Sequence, residues 1–332
     1  MTSPLSSLVL SLSLSFLCSS AILLLLLRSN LAARVAIDIP NHRSLHTASV
    51  PKVGGLALIP AFLLAWTTTL EWDALTVALV AMLALFSYLD DRTGLSAALR
   101  LGMHLAVSAA FVLIILDSVW MLSALAAVLC ITWCTNLYNF MDGADGLAGG
   151  MALFGFSSCG FVAFAAGSPE IAIACGSIAA AAAGFLLFNF PPARTFMGDA
   201  GSIPLGFLMG SLGLVGWQND LWPLWFPALV FSPFVVDATV TLAKRSLCGE
   251  RLWEAHRDHY YQRLVRMGWS HRRLALSEYG IMLAAGWSAT TMLHLDRNMQ
   301  FVGLLLWVSL YALAMIAIDI RWKQHQIRVQ GE

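Results

Sequence analysis

Residues 189–201 read Asn189-Phe-Pro-Pro-Ala-Arg-Thr-Phe-Met-Gly-Asp-Ala-Gly201. Long apolar runs flank this stretch, 171–188 before it and 203–216 after it. Pro191 and Pro192 cannot continue a helix, because proline lacks the N–H and clashes with the preceding turn. The first run must therefore end here. One cation, Arg194, and one anion, Asp199, follow. Gly198 and Gly201 bracket the aspartate and let backbone approach a ligand closely. An acid at a polar break between two hydrophobic spans is costly to place there, which makes Asp199 a functional-site candidate. The pattern of span, polar break and span sets the fold class: an all-α, polytopic membrane protein.

Composition agrees. Of 332 residues, 59% are hydrophobic and 11% charged, against roughly 25% charged in a soluble globular protein. The formal net charge is zero, so no global attraction to nucleic acid is expected. The cysteines are Cys18, Cys130, Cys134, Cys159, Cys175 and Cys248, and all but the last fall inside apolar runs without a CxxC pair. They read as small buried residues, not as a disulfide framework or metal site. The N-terminal run has no cation before Arg28, the reverse of a secretory signal peptide. It reads as a first transmembrane helix.

Working outward gives about eleven spans near the length a bilayer requires: 6–27, 54–70, 74–89, 98–116, 119–135, 148–166, 170–188, 202–217, 221–243, 276–293 and 300–320. No fixed-period repeat and no soluble domain interrupts them, so residues 1–332 read as a single integral membrane domain. Of the 19 Lys and Arg, all but Arg297 fall in alternate gaps, in the C-terminal tail or, for Arg100, at the edge of such a gap. Positive residues stay on the cytoplasmic side. The expected cytoplasmic loops are thus 28–53, 90–97, 136–147, 189–201 and 244–275, with the N-terminus periplasmic and the C-terminus cytoplasmic.

The same loops collect the unusual residues. The first runs from Asp38 through Arg43 and His46 to Val50-Pro-Lys-Val-Gly-Gly55. The second opens with Asp90-Asp91-Arg92, an adjacent pair that repels itself and opposes the helix dipole at a span end. A divalent metal is one compensator. The third is Asn136-Leu-Tyr-Asn139-Phe-Met-Asp142-Gly-Ala-Asp145-Gly. Its two acids would share a helix face, but the glycines argue for a turn, and its hard oxygens suit magnesium, which takes one or two carboxylates and leaves room for substrate phosphate. EF-hand ligand spacing is absent. The fifth contains His256-Arg-Asp-His259 in a strongly basic loop. An anionic ligand suits it better than zinc, which lacks both the HExxH glutamate and a nearby thiolate. Carboxylates for a metal plus basic groups for phosphates point to phosphate chemistry on a membrane-embedded substrate, which needs positioning and charge neutralisation more than covalent apparatus. Neither a Walker A motif nor a kinase Gly-rich loop is in the sequence, so ATP is not the expected donor.

At these residues the chain resembles the polyprenyl-phosphate N-acetylhexosamine-1-phosphate transferases, also classed as glycosyltransferase 4. The shared elements are Asp90-Asp91, Asn136-x-x-Asn139-x-x-Asp142-Gly-x-Asp145-Gly, the stretch from Asn189 to Asp199-x-Gly201-Ser202, and the His256–His259 segment. Within the family the chain looks most like the WbpL-type initiators of O-antigen, on 235–242 and 254–262. Its loop lacks the consecutive histidines of the peptidoglycan translocase, so a muramyl-pentapeptide donor is not expected. The resemblance implies that a UDP-activated N-acetylated amino sugar, a hexosamine or its 6-deoxy form, gives its sugar-1-phosphate to undecaprenyl phosphate in the bacterial inner membrane, releasing UMP. It implies a requirement for Mg2+, with Mn2+ as substitute, and is compatible with a homodimer.

The resemblance also assigns roles. Asp90 and Asp91 are the catalytic pair. Asp199, Asp91 and Asp142 are the metal ligands. Asn139, Asp145, Asn189 and Phe196 bind the nucleotide sugar. His256, Arg257 and His259 neutralise the donor diphosphate, and Arg43, His46 and Lys52 meet the lipid phosphate. Two readings from other classes compete. A secondary transporter would place its polar residues near the bilayer midplane, whereas these sit at one interface. A non-catalytic lipid-binding membrane protein would not need Asp90, Asp91, Asp142, Asp145 and Asp199 together.

Overall fold

The computed structural model describes residues 4–29, 31–38, 49–70, 74–115, 121–251 and 256–330. Among these, the elements in chain order are α1 (Pro4–Arg28), α2 (Leu31–Val35), β1 (Ile37–Asp38), β2 (Val50–Pro51), α3 (Gly54–Thr69), α4 (Ala74–Thr93), α5 (Ala97–Ile115) and α6 (Met121–Phe140). They continue with α7 (Leu147–Ala165), α8 (Pro169–Asn189), α9 (Asp199–Gln218), α10 (Trp225–Val230), α11 (Ser232–Leu247), α12 (Tyr260–Arg266), α13 (His271–Met292) and α14 (Arg297–Gln330). The fold is all-α and polytopic. The short antiparallel clip β1–β2, pairing Ile37 with Pro51 and Asp38 with Val50, only closes the first loop. Eight helices, α1, α4 to α9 and α14, are long and apolar enough to cross a membrane, and α3 is a shorter apolar helix.

Two expectations change. The span 221–243 is not one helix. It breaks at Phe231 into α10 and α11, where Pro233 has no N–H to offer and the amides of Phe234 and Val235 both turn back to the Phe231 carbonyl. The polar loops are also shorter than read. Asp90 and Asp91 lie in the last turn of α4, Asn136 and Asn139 inside α6, Asn189 at the end of α8, and Asp199 at the start of α9. Helix α4 runs on because Asp90 helps close it: its carbonyl accepts from Gly94 N–H at 2.8 Å, and its Oδ1 accepts from Leu95 N–H at 2.7 Å. Gly94 takes the positive φ of 67° that such a terminus needs.

Small residues pack the core. In membranes they let helix backbones approach closely. Helix α8, with its Ala-rich centre, is the most enclosed together with α9, 78% of each apolar window being buried. On α1, Ser11, Ser15 and Ser19 are buried at four-residue spacing, and a Cβ at Gly184 of α8 would come within 2.7 Å of the Phe16 carbonyl. Trp66 Nε1 of α3 donates to Ser177 Oγ of α8 at 2.6 Å. Helix α9 seats against α6 in the same manner. A Cβ at Gly206 would meet the Cys134 carbonyl at 2.6 Å, and one at Gly210 the Ile131 Cα at 3.0 Å. That close contact brings the end of α6 against the start of α9, where the candidate site lies.

Candidate active site

The ends of α4, α6 and α8 and the starts of α5, α7 and α9 meet at one end of the bundle. The stretch 190–198 is fixed there by backbone pairing. Phe196 N–H donates to the Pro51 carbonyl at 2.8 Å, Gly54 N–H to the Phe196 carbonyl at 2.9 Å, and Gly55 N–H to the Met197 carbonyl at 2.8 Å. The approach is so close that a Cβ at Gly55 would sit 2.3 Å from Gly201 N. This explains the Gly54-Gly55 pair, which sequence reading left without a role. It also carries Lys52 onto the start of α9.

Four acids and one lysine cluster here. The Asp199 N–H donates to Asp91 Oδ2 at 3.0 Å. Gly198 takes a φ of 72°, which L side chains rarely adopt, and a Cβ there would stand a tight 3.2 Å from the same oxygen. Asn139 Nδ2 donates to Asp199 Oδ1 and to Ser202 Oγ, both at 2.9 Å. Lys52 Nζ stands 3.5 Å from Asp38 Oδ1 and 3.8 Å from Asp91 Oδ1. Burial works to lower the Lys52 pKa, and the charges of Asp91, Asp38 and Asp199 outweigh it, holding the ammonium above its ordinary value. Asp142, in the turn between α6 and α7, is pushed well above the usual carboxylate range by burial and by the charge of Asp199, with Asp91 adding to it. Negative charge only partly balanced by Lys52 is the electrostatic signature of this corner.

Such a donor set fits a hard cation. Among the described residues, no three of His, Cys, Asp and Glu stand together at ligating separation. Magnesium draws only one or two carboxylates from the protein and completes its shell with water and phosphate. Asp91 and Asp199 are joined by the Asp199 N–H bond to Asp91 Oδ2, and Asp142 feels the charge of both, so these carboxylates could supply the one or two protein ligands that such an ion takes.

Adjacent in sequence, Asp90 and Asp91 part company. Asp91 faces Lys52 and Asp199, whereas Asp90 turns into a cleft of about 610 Å³ between α4, α5, α6, α9 and α11. Arg100 Nη1 reaches Asp90 Oδ2 at 3.5 Å from α5. Asp199, Asn139, His256 and His259 line the same cleft, and Phe86, Leu101, Leu129 and Leu242 make its walls apolar.

His259 caps α12 and is held from below. Asp237 of α11, within the stretch 235–242 but given no role from the sequence, accepts Tyr260 N–H and Tyr261 N–H at 3.0 Å each, and its Oδ1 lies 3.2 Å from His259 Nδ1. Thr241 Oγ1 donates to it as well, at 3.1 Å. One buried carboxylate thus satisfies the first turn of α12 and orients the imidazole. An acid inside the apolar run 233–243 is the signal that could have found it. Arg245, also missed, ties the loop together through Glu250 at 2.9 Å and Asp258 at 3.7 Å. His256 is half-buried, and burial with the charges of His259 and Arg245 lowers its pKa to about 4. Expected as a cationic donor, it is neutral at pH 7 in the ligand-free protein. Arg257 lies beside it, partly exposed.

Asn189 and Asp145 are braces. Buried Asn189 accepts Gly146 N–H and donates to the Thr195 carbonyl, both at 2.9 Å. Asp145 Oδ2 accepts Ala193 N–H at 3.0 Å, and its Oδ1 is 3.0 Å from His271 Nδ1. Both hold 190–198 in place. Phe196 is partly exposed within that stretch. Arg43 and His46 lie outside the described residues. His104, two turns into α5, also lines the cleft and was not anticipated.

Known proteins resemble this chain in sequence. The family model described as glycosyl transferase family 4 matches residues 74–217. The chain is 32% identical over 266 residues, covering 74% of each sequence, to a probable undecaprenyl-phosphate N-acetylglucosaminyl 1-phosphate transferase of Bacillus subtilis (strain 168). It is 33% identical over 172 residues to a phospho-N-acetylmuramoyl-pentapeptide-transferase of Levilactobacillus brevis, 51% of this chain and 52% of that one. A protein of the same name from Listeria monocytogenes serotype 4b matches at 33% over 153 residues, 45% of each.

Proposed function

The chain belongs to glycosyl transferase family 4, and from that membership we propose that it transfers a sugar phosphate to undecaprenyl phosphate in the bacterial inner membrane. In full, the donor is a UDP-linked N-acetylated amino sugar and the products are undecaprenyl-diphospho-sugar and UMP, the first step of O-antigen or another surface polysaccharide. The observation that carries this reading is the convergence of Asp90 and Asp199, from different helices, with His256 and His259 on one cleft whose walls turn apolar. A soluble, charged donor and a lipid phosphate can meet in such a place.

In the reaction an oxygen of the lipid phosphate attacks the sugar-bound phosphorus of the donor. A new P–O–P linkage forms, and the bond to the bridging oxygen of UMP breaks, its electron pair leaving with UMP. Asp90 faces the cleft and takes the proton when the lipid phosphate carries one; general-base help of this sort is worth roughly 10²–10⁴-fold. Asp199, Asp91 and Asp142 would hold magnesium, which when bound supplies charge neutralisation for the diphosphate. Lys52 balances the same carboxylates, and is the one described member of the set first considered for the lipid phosphate. His259, oriented by Asp237, donates to the donor diphosphate alongside His256 and Arg257. Phe196 offers a ring for the uracil and Asn139, bonded to Asp199 and Ser202, an amide on the same side of the cleft as Asp199, while Asn189 and Asp145 act by holding 190–198.

The test is purified protein with undecaprenyl phosphate, Mg2+ and a panel of UDP-sugars, scored by lipid product. One amino sugar should dominate the panel. A panel without any lipid product would remove the reading.

A further inference from the structure

Helix α14 is unlike the others. At 34 residues it is about 51 Å long at 1.5 Å per residue, well beyond a hydrocarbon core of about 30 Å. None of its apolar window is buried, and Trp322 is the one buried residue among those described in it. Tyr311 OH meets Ser232 Oγ at 2.7 Å within the apolar stretch, and a second, charged anchorage lies at its end and falls on the segment that carries His259.

Asp319 makes that anchorage. Its Oδ1 accepts from Arg263 Nη1 of α12 at 2.8 Å, and its Oδ2 accepts from Tyr260 OH at 3.2 Å and from Lys244 Nζ of α11. One turn on, Arg266 of α12 lies over the Trp322 ring, 4.5 Å from its centroid. Helix α12 is only seven residues long, too short to hold itself, and His259 is its N-cap residue. Asp237 fixes the first turn from one side, and Asp319 fixes Tyr260, Arg263 and Lys244 from the other.

We propose that Asp319 is a positioning residue: through α12 it sets His259 in the cleft, so that α14 completes the donor-binding side of the site. Three charge-assisted bonds to one carboxylate make a network, and networks hold geometry where single surface pairs do not. The inference rests on the transferase reading above, and it concerns the donor alone, since α14 packs on α12 and α13 and bonds to α11 through Ser232 and Lys244, whereas Asp90 and Arg100 stand on α4 and α5.

The experiment is two-substrate kinetics on the full-length protein in detergent, following UMP release. Asp319→Ala should raise KM for the UDP-sugar about fivefold or more, the equivalent of one kcal/mol or so. KM for undecaprenyl phosphate and kcat at saturation should stay within about twofold, a margin below that same threshold. Asp319→Glu, which keeps the carboxylate, should recover most of the donor affinity, and Trp322→Ala should repeat the loss in milder form. Equal changes in both KM values, a fall in kcat alone, or no advantage of Glu over Ala would overturn the proposal. If Asp319→Ala does not fold, Trp322→Ala decides by the same criteria. Absence of UMP release from the wild type would instead defeat the transferase reading, and this inference with it.

Discussion

The backbone N–H of Asp199 donates to Oδ2 of Asp91 at 3.0 Å, across 108 residues of chain. That bond joins the last turn of α4 to the first turn of α9. It leaves Asp91 committed to the corner shared with Lys52, while its neighbour Asp90 faces the cleft. The two acids therefore have different work, and Asp199 is the hinge between them.

Asp199→Asn keeps the shape of the side chain and removes its charge. Turnover should fall below detection while the protein elutes from size exclusion as the wild type does. Near-normal activity at saturating magnesium would take Asp199 out of the metal site.

Asp237→Ala orphans the Tyr260 and Tyr261 amides in a buried place, and each unsatisfied buried group costs about 1–3 kcal/mol. The thermal midpoint should drop, and KM for the UDP-sugar should rise, as it should in His259→Ala. Because both changes act through one imidazole, the double variant should be little worse than the worse single. Additive losses would separate Asp237 from His259.

His256 titrates from an ordinary 6.5 down to about 4 in the folded chain. Between those values the unfolded chain binds the proton and the folded one does not. This contribution to stability is therefore present above pH 6.5 and is lost as pH falls toward 4. His256→Gln should flatten that part of the pH dependence of unfolding, measured by thermal denaturation at pH 5 and pH 7. An unchanged pH dependence would mean that His256 is not desolvated as the structure has it.

Gly55→Ala forces a methyl group against Gly201 N. Overpacking of this kind costs about 1–3 kcal/mol, and it should also spoil the seating of 195–201. Gly102→Ala, with nothing within 4 Å of the added carbon, is the control and should be neutral or slightly stabilising. Equal stability of the two variants, by thermal shift, would contradict the close approach of 54–55 to 200–201.

Much of this was legible in the sequence, for a physical reason. Charged residues are expensive in a lipid-facing chain, so Asp90, Asp91, Asp142 and Asp199 stand out against their surroundings. Proline marks the end of α8 in the same direct way. What was not legible depended on partners distant in the chain. Asp237 sits in the middle of what reads as one continuous span, and only the break at Phe231 and the fold of α12 onto α11 reveal its four hydrogen-bonding neighbours. Asn189 is given to the nucleotide sugar by the resemblance, and only the fold reveals that its amide also accepts from Gly146 N–H and donates to the Thr195 carbonyl. Gly54 and Gly55 gave no sign of the backbone pairing with 196–197 that needs them.

The bond of the nucleotide sugar that is cut defines the reaction. Purified protein is incubated with undecaprenyl phosphate, Mg2+ and the UDP-sugar it accepts, and the released nucleotide is identified by chromatography. Transfer of sugar-1-phosphate predicts UMP, in step with lipid product and dependent on both lipid and metal. Release of UDP, from cleavage between the sugar and its phosphate, or no nucleotide release with any UDP-sugar, would contradict it.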